Sequence, residues 1–193
     1  MVGRHKYSKL DREGRMSRKG PFGLWMGMII SDFDAPLEEI APCKFMVPVV
    51  PKPHSAFERY VCQVSPRSGL SWIKAIGKTI ATSSYGIELK SAFDTMEQKL
   101  AATYGRQKKF DFLMQESIWN EPRDWMQAIL NKERVLISEW NKDTGASLAD
   151  SLASVALVLD VLDTSSGYIA IEYSFENAAQ AEAEIAALED DAL

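Results

Sequence analysis

The sequence is poor in the residues from which most catalytic and metal centres are built, with two cysteines and two histidines among 193 residues. Cys43, His54 and Cys62 match no zinc finger or ribbon spacing, so no metal is expected. His5 falls in a basic N-terminal stretch, which leaves His54 as the one histidine base, and there is no Gly-x-Ser-x-Gly elbow to aim a serine at it. Gly77-Lys78-Thr79 ends like a phosphate-binding loop. The glycine that such a loop needs before its lysine is replaced by Ile73, so no nucleotide, and no other cofactor, is expected.

Long apolar runs are missing too. No stretch has the roughly eighteen apolar residues of a membrane span, which predicts a soluble protein. Residues 21–30, behind the basic stretch, imitate a secretory signal, but Asp32 and Asp34 follow without a small-x-small cleavage site. Pro42 stands where a lipoprotein signal needs a small residue before its cysteine, Cys43. Two cysteines in apolar surroundings read as buried thiols. The expected compartment is therefore the cytoplasm, with the periplasm or envelope as the alternative.

Charge is unevenly distributed. Residues 1–20 hold seven Lys or Arg against Asp11 and Glu13, so a total of −5 leaves the rest of the chain at −10. That acidic body repels phosphates, so neither nucleic acid nor a membrane is an expected partner, whereas a protein partner is compatible with it. The stretch 1–20 reads as a disordered basic arm or as an over-extended start with Met16 as the first native residue, which leaves open whether residues 1–15 belong to the protein.

What is present is ordinary globular composition, 46% apolar and 25% charged. The clearest fold signal is Val155 to Phe175, two apolar arms joined by a turn at 163–167. In the second arm Ile169, Ile171, Tyr173 and Phe175 alternate with Tyr168, Ala170, Glu172 and Ser174, the pattern of a strand with one buried face. The first arm is apolar on both faces, which puts it inside a sheet.

Phe57 to Val64 reads as a strand with Tyr60, Cys62 and Val64 on one face, followed by a turn at 65–69 and a second arm to Thr82. Leu89, Phe93, Met96, Leu100 and Tyr104 form one helical stripe, capped by Ser83 or Ser84 and ended by Gly105. Lys108 to Leu113 fits a short strand or a helical turn. Pro122 opens a helix buried through Trp125, Ile129 and Leu130, a strand runs from Arg134 to Trp140, and Asn177 caps a last helix whose Ala181, Ile185 and Leu188 face the core. The stretch from Ser31 to Ile40 reads as a short helical piece. Lys44 to Val50, with Pro48 inside, reads as an edge strand or an extended connection.

The expected class is α+β, as two α-β-β-β-α units over 21–106 and 107–193 packed as one compact domain, with antiparallel sheet backed by helices on one side. Gly23-Leu-Trp-Met-Gly-Met28 before a helix, and a later helix closing at Leu100-Ala-Ala-Thr-Tyr-Gly105, resemble the small α+β repeats of the beta-lactamase inhibitory protein and of SmpA-type outer-membrane assembly lipoproteins. That resemblance implies non-catalytic protein binding through an exposed sheet face, in families that are exported. Residues 108–140, with Ser117-Ile-Trp-Asn-Glu-Pro122 and Asp124-Trp-Met126, are similar to uncharacterised bacterial proteins, which implies no activity.

If Ile73 and Ala75 point inward, Trp72, Lys74, Ile76 and Lys78 project from the other face beside Arg59 and Gln63. A tryptophan among long polar side chains is the composition of an interface anchor. Either this face is open or a helix covers it. The expected function is a non-enzymatic interaction domain of the inhibitor, immunity or anti-defence kind, binding an unidentified protein through Trp72, Lys74, Lys78, Arg59 and Gln63. Two alternatives are a hydrolase acting on a glycan with Glu121 and Asp124, beside Trp119 and Trp125, and an envelope lipoprotein attached at Cys43. For the carboxylates, complementing a helix N-terminus is the simpler role.

Overall fold

The computed structural model describes residues 19–190, apart from the side chain of Glu189. The reading of residues 1–20 as a basic arm therefore falls almost wholly outside the described residues. Strands β1 (Glu38–Ala41), β2 (Lys44–Val47), β3 (Phe57–Ser65) and β4 (Gly69–Gly77) are neighbours in turn. Then come β5 (Ile80–Ala81), α1 (Ile87–Tyr104), β6 (Lys108–Leu113), α2 (Trp125–Leu130), β7 (Arg134–Asn141), β8 (Leu152–Asp163), β9 (Ser166–Phe175) and α3 (Ala178–Asp190). All strands join one antiparallel nine-stranded sheet in the order β1-β2-β3-β4-β9-β8-β7-β6, with β5 pairing with β9. The class is α+β.

Alternation decides which face is buried. Ile73 and Ala75 on β4, Tyr60 and Cys62 on β3, Ile169, Ile171 and Tyr173 on β9, and Val155, Leu157 and Leu159 on β8 share one face and are buried. Against that face pack Leu89, Phe93, Met96 and Leu100 of α1, Trp125, Met126 and Ile129 of α2, and Leu24 and Met28 of the N-terminal segment. Phe22 closes the end of this layer edge-on to Phe57, Tyr60 and Tyr173.

The helices cross between the halves. Helix α1, which follows the first strands, lies over β8 and β9, whereas α3, at the end of the second half, packs on β3 and β4. The core over β8 and β9 therefore depends on a helix from the other half. Among the described residues no helix is long and apolar enough to cross a membrane.

Several local expectations change. Glu38–Ala41 forms a strand rather than a helical piece, and its pairing to β2 makes that strand internal instead of an edge. Lys108–Leu113 is a strand at the far edge. Helix α1 is preceded by Gly86 (φ 66°) rather than capped by Ser83 or Ser84, and a Cβ at this position would run into the ring of Trp125. Leu130 and Leu188 are exposed; Met126 and Ala128 take the buried places on α2.

Glu184, one of the acidic residues of the last helix, faces inward instead of into solvent. Its carboxylate accepts hydrogen bonds from Ser68 Oγ (2.5 Å), Ser65 Oγ (2.8 Å), Ser68 N (3.0 Å) and Arg67 N (3.2 Å), tying α3 to the β3–β4 turn. These bonds, led by that from the Ser68 hydroxyl, hold its carboxyl down to about 2.

Phe93→Ala should cost about 3–5 kcal/mol in a denaturant titration, since the ring is wholly buried. A depressed carboxylate adds stability above its unfolded pKa of about 4.3 and loses it as the pH falls toward the folded value. Glu184→Gln should therefore flatten the fall in stability between that value and about 2, read as melting temperature against pH.

Candidate functional site

The face opposite α1 and α2 carries the side chains of the other parity, and Glu184 of α3 meets it at Ser65. Register places Trp72 of β4 between Gln63 of β3 and Ser174 of β9. In the next row Lys74 stands between Val61 and Glu172, followed by Ala156, Glu139 and Lys108. One row further on, Arg59, Ile76, Ala170, Val158, Ile137 and Phe110 cross the sheet. Gln63, Trp72, Lys74 and Ile76 are partly exposed and Arg59 is exposed.

Of the five residues singled out in the sequence, four therefore stand together on β3 and β4. Lys78 lies one residue beyond β4, exposed, with its amide bonded to the carbonyl of Ala56. The Lys44 ammonium lies 5.8 Å from the Trp72 ring centroid, a cation–π contact that holds the indole at the surface.

The other half of this face was not singled out. Two ion pairs, Lys74–Glu172 (2.8 Å) and Lys132–Asp160 (2.7 Å), flank a depression of about 260 Å³ whose lining includes Val135, Ile137, Val158 and Tyr168. The alternation of Tyr168, Ala170, Glu172 and Ser174 marked those residues as outward. Nothing local showed that they would continue the surface of β4, because the two strands are about a hundred residues apart in sequence.

The carboxylates of the hydrolase alternative flank a cation. Arg123 Nε lies 2.9 Å from Glu121 Oε2 and 4.0 Å from Asp124 Oδ1. Trp125, rather than presenting a sugar platform, is buried beneath Lys90, whose ammonium is 4.1 Å from the ring centroid. His54 is used structurally, its Nδ1 accepting from Ala56 N and its own amide donating to the Tyr60 hydroxyl. Among the described residues no three of His, Cys, Asp or Glu converge on a position that could hold a metal ion.

No family model, curated protein or solved structure matches the chain.

Both cysteines are free thiols in unlike settings. Cys62 is wholly buried, and burial pushes its thiol up to about 12. Cys43 sits at the β1–β2 turn (φ 57°), where it lines a depression of about 690 Å³; burial, then Glu39 and Glu184, raise its pKa. Titration of the native protein with a thiol reagent near pH 8 should release one equivalent, from Cys43, and a second only in denaturant. Two equivalents from the native protein would contradict this assignment.

Proposed function

We propose that the protein is a non-enzymatic protein-interaction domain of the inhibitor, immunity or anti-defence kind, and that its open sheet face contacts a partner protein. The observation that carries this reading is the joint placement of Arg59, Gln63, Trp72 and Lys74 on the face away from α1 and α2, beside an apolar floor bounded by two ion pairs. An anchoring tryptophan, an apolar centre and a charged border are the parts of an interface. A hydrolase reading of Glu121 and Asp124 draws no support from carboxylates engaged by Arg123. Free thiols suit a reducing cytoplasm.

We also read residues 21–106 and 107–193 as two related units. What supports this is the strand order, four strands on each side of the β4–β9 seam, with a long helix after each set.

Tagged protein recovered from its native cells should bring a partner with it. Trp72→Ala should cut that recovery about tenfold or more, the loss expected at a central anchor, while thermal unfolding stays unchanged. Recovery of the wild-type protein alone at every salt concentration, or undiminished capture by Trp72→Ala, would overturn the proposal.

A further inference from the structure

We infer that the protein binds a compact aromatic carboxylate in a slot where its sheet forks between β7 and β8. The inference goes beyond the reading of the face as a contact surface and does not depend on it.

Pairing between β7 and β8 stops at Ile137 with Val158, although neither strand ends there. Strand β7 continues to Arg134 along β6, and β8 continues to Asp163 along β9. Continued register would set Val135 against Asp160 and Arg134 against Val161. Instead the Val161 amide donates to Asp160 Oδ1 at 2.9 Å. The depression of about 260 Å³ lies at this fork. A hollow over an unbroken sheet touches strand side chains of one parity only. This one touches both: Ile137, Val158 and Tyr168 from the open face, and Leu136 and Leu159, with Ile129 of α2, from the core layer. It is therefore an apolar slot that enters between two strands. Among the described residues none of α3 lines it, so the helix that meets β3 and β4 leaves it accessible. A dry cavity of about 150 Å³ already admits benzene, so this slot has room for one ring and its substituent, and a gap between strands suits a flat ring.

Charge names the substituent. Three cations, Lys74, Lys132 and Arg134, and two carboxylates, Asp160 and Glu172, stand around the slot, a surplus of one positive charge in an otherwise acidic body. That surplus is balanced by a monoanion. Lys74 and Lys132 each give one of three donors to Glu172 and Asp160, leaving others for a ligand at the border. Arg134 gives its Nη2 to Asp111 at 2.6 Å, while its Nε–H is, among the described residues, the one buried side-chain nitrogen without an acceptor. A charged donor left unanswered in this way is costly. A carboxylate entering the slot answers it after a small turn of the guanidinium, the planar pairing that arginine favours. The slot also supplies the apolar floor of the proposed contact surface, so a bound ligand and a partner protein would compete there.

Titration of the isotope-labelled chain with benzoate, followed through its amide resonances by NMR, tests this. The amides of Arg134 to Ile137, Val158 to Asp160 and Tyr168 should shift together and saturate, with a Kd of about 1 mM or tighter. Benzamide keeps the shape without the charge, and inorganic phosphate keeps charge without the ring. Each should bind at least about tenfold more weakly. Lys132→Gln changes a side chain that is 72% exposed, and should weaken benzoate about fivefold or more while leaving benzamide unchanged. Val158→Trp fills the slot and should abolish binding of both, with the amide spectrum verifying that each variant is folded. The site is overturned by the absence of saturable shifts, by shifts centred elsewhere, by benzamide or phosphate binding as tightly as benzoate, or by unchanged benzoate affinity in Lys132→Gln. None of these readouts involves a partner protein, so Trp72-dependent capture stands or fails separately.

Discussion

Five residue pairs between β4 and β9, from Trp72 with Ser174 to Ile76 with Ala170, hold the molecule together. Without them, β4 and β9 would each be an apolar edge strand with unpaired amides and carbonyls, the kind of edge that invites aggregation. With them, eight strands form one path, and Ile73, Ala75, Ile171 and Tyr173 occupy its buried centre. The helices reinforce the seam by crossing it: α1 returns over β8 and β9, and α3 over β3 and β4. Unfolding either half exposes the other's core, so the two should unfold together.

The Lys74–Glu172 pair lies directly on this seam, and its strength is not the reason it matters. Its side chains are 28% and 30% exposed, and a solvent-screened pair of this kind contributes on the order of 1 kcal/mol or less. Register is a stronger argument. Sliding β9 by one residue would send Ile171 and Tyr173 to the open face and Glu172 into the core opposite Phe93 and Leu89. Burying an unpaired carboxylate costs several kcal/mol, and losing two large apolar side chains from the core adds about 1.5–3 kcal/mol for each. The ion pair marks the one register that avoids both.

Much of this was legible because alternation and helical period report burial directly. Ile169 to Phe175, the stripe from Leu89 to Leu100, Tyr60 with Cys62, and the parity of Trp72 and Lys74 could all be read from spacing. The elements that were missed or left open carry no such signal. Glu38–Ala41 is exposed along its whole length, so nothing in its pattern distinguishes strand from helix. Lys108–Leu113 is likewise exposed or half-buried throughout, as an edge strand can be. Glu184 resembles any acidic residue on a solvated helix until the Ser65–Ser68 turn, more than a hundred positions earlier, is brought beneath it. The apolar half of the open face was hidden for the same reason, since its neighbours are set by strand order rather than by anything local.

The placement of the helices also decides how much of the second face stays open. Helix α1 is committed to β8 and β9, α2 fills the gap over β7 and β8, and the N-terminal segment with Leu24 and Met28 covers what remains of that layer, whereas α3 is tied to the Ser65–Ser68 turn and adds no residue to the core cluster. Helices α1 and α2 leave the opposite face of β7, β8 and β9 uncovered, and that face is not built for water alone. Ile76, Ala170, Val158 and Ile137 line up across adjacent strands, and Phe112 on β6 is 48% exposed. Isolated exposed apolar side chains carry no message, whereas a contiguous row bordered by charge marks a surface that is covered when the protein works. A sheet whose second face is patterned in this way has a further layer to acquire, which the proposed partner protein would supply.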